Sequence, residues 1–163
     1  MRAIALLLPL ALAACGLRPL YSGGGSGAVA SALSGIEVAT IPGRNGWLVR
    51  NALRDRIAAL PDGNARYRLE IELEDKIEGF GIRRDDAITR ERRTLRARYR
   101  LVDRSSGSVL IDATAGSDAG IDVVRSEYAT IAAENTALER LSQQVADQII
   151  ARLALFARSN PNP

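Results

Sequence analysis

Residues 66–74 read RYRLEIELE, a strict alternation of charged and apolar side chains. A β-strand points successive side chains to opposite faces, so this period of two predicts a strand with one buried and one exposed face. The apolar face carries Tyr67, Leu69, Ile71 and Leu73. The exposed face carries Arg66, Arg68, Glu70, Glu72 and Glu74. Such a strand needs a second apolar layer against one face of its sheet.

Three further strands are predicted on either side of this stretch. The alternation recurs at 94–101 (TLRARYRL), and shorter patterns predict a first strand at 36–40 and a fourth from Val109 towards Ile121. Residues 75–93 are interpreted as the frayed ends of the second and third strands, joined by a turn near Arg84 to Asp86. Residues 104–107 (RSSG) predict a second hairpin turn.

Two segments change to the helical period. From Asn45 to Leu60, apolar residues recur on one helical face, with Asn45 as the cap and Trp47 expected to pack at the helix–sheet edge. The face consists of Val49, Leu53, Ile57 and Leu60. From Glu127 to Arg158 a long helix is predicted, starting at a cap on Ser126 or Thr130. Its apolar stripe is Ile131, Leu138, Leu141, Val145, Ile149, Leu153 and Phe156.

The predicted order β-α-β-β-β-α indicates an α+β fold. We expect a two-layer sandwich over residues 36–158, in which a four-stranded, mostly antiparallel sheet carries two helices on its apolar face. The other sheet face is then polar and rich in arginine. Residues 159–163 are predicted to form an unstructured tail.

The first residues predict export and lipid anchoring. Met1 and Arg2 precede twelve apolar or small residues, and twelve helical residues cover only about 18 Å of a ~30 Å hydrocarbon core. Residues 1–14 are therefore interpreted as a signal peptide. Residues 12–15 (LAAC) resemble the lipobox of bacterial lipoproteins, in which the cysteine, here Cys15, is acylated and anchors the chain in a membrane. An ordinary signal peptide followed by a chance cysteine is the alternative.

By resemblance to bacterial sorting rules, Gly16 in place of Asp favours the outer membrane. Residues 15–35 then form the lipidated N-terminus and a flexible Gly/Ser-rich tether, with 22–35 reading SGGGSGAVASALSG.

Composition excludes several classes of function. The 163 residues include no histidine and a single cysteine, which removes Cys/His zinc sites, Ser-His-Asp triads and intrachain disulfides. No cofactor, metal site or catalytic residue is predicted, and we expect no enzymatic activity. The net charge of +3 is too small to indicate a nucleic-acid partner.

Basic residues nevertheless cluster on one predicted surface. Of the 22 basic side chains only Lys76 is a lysine, and arginine binds phosphate or carboxylate through a planar fork. Arg96, Arg98 and Arg100 share a face that a hairpin register sets opposite Glu70, Glu72 and Glu74, so cross-strand pairing competes with anion binding there. Arg92 and Arg93 are less easily paired. The candidate anion contacts are Arg92, Arg93, Lys76, Arg83, Arg84, Arg96 and Arg98.

The segment 15–21 (CGLRPLY), followed by a Gly-rich tether, a strand and a helix containing Arg-Asn, resembles the LptE family of lipopolysaccharide-assembly lipoproteins. Residues 126–134 (SEYATIAAE), which open the long helix, are also similar to members of this family. The resemblance implies a protein anchored on the periplasmic side of the outer membrane that plugs and helps assemble the LptD barrel. It also implies contact with lipopolysaccharide and help in its delivery to the outer leaflet.

Two other classes of protein remain open at this point. One is an auxiliary lipoprotein of an ABC-type lipid transport system. The other is a lipid-anchored hydrolase, which without histidine needs a pair of carboxylates in a cleft.

Overall fold

The computed structural model describes residues 28–58, 65–82 and 88–160. Three helices and four strands follow one another in the described residues. They are α1 (Ala28–Ser34), β1 (Ile36–Val38), α2 (Gly43–Ala58), β2 (Tyr67–Ile82), β3 (Ile88–Asp103), β4 (Val109–Asp122) and α3 (Glu127–Ser159). The predicted signal peptide, Cys15, Arg83 and Arg84 lie outside the described residues, as does the predicted turn near 84–86.

The four strands form one open sheet in the order β1-β2-β3-β4. β1 pairs parallel with β2, and the other two pairings are antiparallel. The predicted α+β class and the mostly antiparallel four-stranded sheet are confirmed. In the β2–β3 register, Glu70 lies opposite Arg100, Glu72 opposite Arg98 and Glu74 opposite Arg96, as the alternation predicts.

One core lies between the helices and one face of the sheet. The odd-numbered residues of β2 and β3 face it. The predicted stripes of α2 and α3 fill it, apart from Ile131, which is exposed, and Leu60, which lies outside the described residues. Among the most deeply buried side chains are Leu69, Leu95 and Leu101 of the sheet, and Val49, Leu53, Leu141, Val145, Ile149 and Leu153 of the helices. The core therefore packs strand faces, in which every second residue is buried, against helical stripes that repeat about every 3.6 residues.

The predicted flexible tether is wrong from Ala28 onward. Residues 28–34 (AVASALS) form α1, in which Val29, Ala30 and Leu33 are buried. Val29 and Leu33 lie one helical turn apart, so even this Gly/Ser-rich region presents a small apolar face that packs against α2 and α3. Within the described residues, the helical layer thus contains three helices instead of two.

Several details of the helices and of β1 also differ from prediction. α2 begins at Gly43, and the side chain of Asn45 accepts a hydrogen bond from the Gly46 N–H at 2.8 Å inside the first turn. Trp47 is 61% exposed instead of packed at the sheet edge, because two residues turn a helix by about 200° and place it opposite Val49. Ile131 is likewise exposed, β1 ends at Val38, and Ser159 still belongs to α3. The cap of α3 is Ser126.

β2 and β3 extend past the helical layer as a projecting hairpin, here residues 76–82 and 88–92. Every β2 residue from Lys76 to Gly81 is exposed, on both faces of the strand. Ile82 pairs with Ile88, where the described strands end. The second hairpin turn occurs where predicted, with the Gly107 N–H donating to the Asp103 carbonyl at 2.8 Å. This topology places the hairpin beside the start of α3.

Candidate functional site

Most arginines on the polar sheet face are held in ion pairs. Arg98 donates two hydrogen bonds to the Asp112 carboxylate, at 3.1 and 2.8 Å, and this contact lowers the pKa of Asp112. Arg100 pairs with Glu70 at 3.2 Å. Cross-strand pairing is therefore confirmed for Arg100, whereas Arg98 takes its carboxylate from β4 instead of Glu72.

Lys76 is paired within its own strand. Its ammonium lies 2.6 Å from the Glu74 carboxylate, two residues earlier on the same face. The hydrogen bond between them raises the pKa of Lys76 and lowers that of Glu74. A phosphate that binds Lys76 must compete with this carboxylate.

Arg93 lies on the opposite face from the other candidates that the structure describes. It donates to both Asp75 oxygens, at 2.9 and 2.6 Å, and to the Glu134 carbonyl of α3 at 2.9 Å. The prediction that Arg93 is less easily paired is therefore wrong. As an odd-numbered residue of β3 it faces the helices with Leu95, and Asp75 faces the same way from β2. Arg93 fastens the base of the projecting hairpin to α3.

Arg92 and Arg96 make no ion pair among the described residues. The Arg92 guanidinium lies over the Phe80 ring, 5.3 Å from its centroid, on the exposed hairpin. Such stacking holds a guanidinium in place while its edge remains available for hydrogen bonds. The Arg96 side chain crosses Gly116 of β4 so closely that a Cβ there would lie 2.7 Å from the Arg96 Cδ. The neighbouring Arg90 is paired with Asp122 at 3.0 Å.

Apolar side chains are exposed at the same end of the molecule. Ile77 and Phe80 project from the hairpin, and Val124, Tyr128 and Ile131 lie just before or in the first turns of α3. The Val123 N–H donates to the Thr89 carbonyl at 3.0 Å, which ties the two groups together. We call these five residues with Arg92 the hairpin surface. Phe80 shares the polar sheet face with Arg92, whereas Ile77, opposite Arg93 in the register, points to the helical side. The hairpin surface combines a cation with apolar area and suits an amphiphilic anion. The sequence did not indicate Phe80 as a site residue, because its contact with Arg92 joins two different strands and leaves no signal in either one.

Other chemistry has little support in the described part of the chain. No cluster of three metal-ligating side chains occurs there. Three grooves formed by described residues each contain one carboxylate, from Asp112, Glu37 or Glu139, so none holds the pair that a hydrolase without histidine needs. No described helix has both the length and the apolar composition for crossing a bilayer.

Residues 33–153 match the family model described as LptE, lipopolysaccharide-assembly. Among solved structures, a candidate lipoprotein from Caulobacter crescentus CB15 is 27% identical, with a TM-score of 0.68, and the match covers 82% of this chain and 98% of that one. A comparison of the sequence with curated proteins gives no match.

Two more distant structures share the fold. Rare lipoprotein B from Shewanella oneidensis is 12% identical, with a TM-score of 0.58 and coverage of 76% of this chain and 95% of that one. A minor lipoprotein from Acinetobacter baumannii is 14% identical, with a TM-score of 0.55 and coverage of 74% and 88%.

Proposed function

Because the chain belongs to the LptE family of lipopolysaccharide-assembly proteins, we propose that it plugs the LptD barrel, helps that barrel assemble and assists delivery of lipopolysaccharide to the outer leaflet. The match over residues 33–153 carries this proposal, since it spans nearly the whole folded body. Cys15 is the proposed acylation site and holds the body on the periplasmic side of the outer membrane.

The proposed mechanism is contact without covalent chemistry. Lipopolysaccharide carries phosphates next to acyl chains, and the hairpin surface offers a guanidinium stacked on Phe80, with Ile77 exposed on the other face of the same strand. Arg92 replaces a divalent cation on a lipid phosphate, since its fork donates two parallel hydrogen bonds. The neighbouring apolar side chains cover part of an acyl chain.

The other basic candidates take smaller parts in this proposal. Arg96 supplies a second cation on the polar sheet face. Lys76 and Arg98 contribute only if a phosphate displaces Glu74 or Asp112. Arg93 is withdrawn as a lipid contact because Asp75 and α3 occupy its donors. Arg83 and Arg84, outside the described residues, stay candidates by their position in the sequence.

The lipid contact is tested by Arg92→Gln combined with Arg96→Gln. We expect purified lipopolysaccharide to bind at least about fivefold more weakly at moderate salt, where long-range attraction is screened and direct contacts dominate. Arg104→Gln is the matched control, because Arg104 is an exposed arginine beside Glu37 at the other end of β3. Equal binding by the wild type, the double variant and the control would remove the proposed contact.

A further inference from the structure

The edge strand β4 runs beside one stripe of α3, and the two separate along their length. The stripe carries Gln144, Gln148, Arg152 and Leu155, which are spaced by three or four residues and so share a helical face. Gln144 and Gln148 reach β4 directly. Arg152 and Leu155 instead line a groove of about 350 Å³ between helix and strand. Side chains of α3 therefore cover the outer edge of β4 along one half of the strand and leave it uncovered along the other half.

Gln148 closes the edge by imitating a neighbouring strand. The Gly116 N–H donates to its Oε1 and its Nε2 donates to the Gly116 carbonyl, both at 3.1 Å. Next to it, the Ser117 hydroxyl donates to the Gln144 side-chain oxygen at 2.8 Å. Gln148 satisfies backbone groups of the edge that otherwise attract another chain.

The bonds to Gln148 reveal which backbone groups of β4 point outward. In an antiparallel ladder, residues alternate between directing both backbone groups towards the partner strand and directing both away. Gly116 directs both away from β3, and Asp112 and Thr114 have the same parity in the register. Their N–H and C=O groups therefore also face outward, and no described strand lies beyond β4. This half of the edge is open to a further strand.

The groove beside these open groups has a distinct chemistry. Leu110 and Leu155 line it and are 37% and 43% exposed, and Phe156 lies between helix and strand. Arg152 also lines it and makes no ion pair among the described residues. A strand added to β4 turns every second side chain towards this groove. Apolar side chains and one carboxylate fit those positions.

We propose that residues 110–114 of β4 and the adjoining groove form a strand-addition site for an extended segment of a partner protein. Main-chain hydrogen bonds to Asp112 and Thr114 hold the segment, and its groove-facing side chains, apolar and then acidic, pack on Leu155 and pair with Arg152. Gln148 occupies the next pairing position, at Gly116, and ends the added strand there.

The charge of the groove favours a partner protein over a second copy of this chain. The apolar residues of β4 that line the groove are Leu110, Ile111 and Ala113, and the Asp112 carboxylate is held by Arg98, so a second β4 offers no free carboxylate to Arg152. A segment from another protein supplies both the apolar side chains and the acid.

The test uses the full chain and two labelled hexapeptides, Leu-Thr-Val-Thr-Glu-Thr and the same residues in reverse order, which cover both strand directions. We expect saturable binding of one peptide by fluorescence anisotropy. Hydrogen exchange should slow at the backbone amides of Asp112 and Thr114, because these N–H groups make no hydrogen bond to β3. Leu155→Glu should weaken binding about tenfold or more, because it removes the burial of a leucine-sized contact. Trp47→Glu, at an exposed position of α2 away from the groove, is the control.

Two further variants separate strand addition from simple adhesion. Arg152→Glu should no longer bind the Glu-containing peptide and should instead bind a peptide with Lys in place of Glu. In Gln148→Ala, a peptide two residues longer should bind more tightly than the hexapeptide, and in the wild type it should not. The proposal is overturned if neither peptide binds at up to about 1 mM, if the charge exchange changes nothing, or if protection appears elsewhere. A dimer that protects the same amides would assign the edge to a second copy and would also overturn it.

Discussion

Replacing Arg93 by methionine should destabilise the protein far more than replacing any exposed arginine. The guanidinium makes three hydrogen bonds, two to Asp75 and one to the Glu134 carbonyl. The Arg93 and Asp75 side chains keep only 11% and 14% of their exposure. Removing one partner of a buried pair costs about 3–5 kcal/mol because the other charge stays buried, and we expect about 3 kcal/mol since some solvent reaches this pair.

Urea unfolding of the full chain measures this cost, with the midpoint and the slope read separately. Arg90→Met is the matched control, because Arg90 pairs with Asp122 on the same strand but these side chains are 63% and 76% exposed. Its cost should be about 0–1 kcal/mol. Asp75→Leu added to Arg93→Met should recover most of the loss, since an apolar pair leaves no buried charge. Equal costs for the two single variants would refute the anchoring role of Arg93.

Three further changes test other parts of the structure. The pKa of Asp103 is about 2 because the Ser105 hydroxyl and the Ser106 and Ser105 N–H groups donate to its carboxylate. A pKa lowered from 3.8 stabilises the fold above about pH 4 and loses that effect as the pH falls towards 2. The Tm should therefore fall across this window and fall less in Asp103→Asn; an identical pH profile would contradict the assignment. Gly46→Ala places a Cβ 2.6 Å from the Ile41 carbonyl oxygen and should cost about 1–3 kcal/mol in urea unfolding, although alanine normally favours a helix. Gly120→Ala, where nothing lies within 4 Å, should cost less, and a stabilised Gly46→Ala variant would show that the contact is absent. Cys15→Ala should leave the precursor unprocessed or free of the membrane, and normal membrane fractionation would remove the lipoprotein proposal.

The period of two predicted the sheet in detail. The apolar residues of β2 and β3 must lie on the same side of the sheet. This allows only registers that place the glutamates of β2 opposite the arginines of β3. The apolar residues are Leu69, Ile71 and Leu73 of β2 and Leu95, Ala97 and Tyr99 of β3. The pairing of Glu70 with Arg100 confirms that constraint. The apolar stripe of α3 was equally informative, because five of its seven predicted members are buried.

What the sequence missed depends on contacts between distant segments. Composition predicted a tether at 22–35. Val29 and Leu33 are nevertheless buried against two other helices, a contact that no local sequence pattern indicates. Arg93 was grouped with Arg92 by proximity along the chain, although its parity matches Leu95. Only the crossing of α3 over β3 shows that its donors are occupied. The pairing of Gln148 with Gly116 joins residues 32 positions apart and leaves no trace in either local pattern.

Purification of the affinity-tagged full chain from membranes in mild detergent tests most directly whether this protein works by contact with a barrel. The proposed function predicts an equimolar complex with a large outer-membrane β-barrel protein, identified by mass spectrometry. Recovery of the chain with the components of an inner-membrane ABC-type lipid transporter, or with no barrel at all, would contradict it.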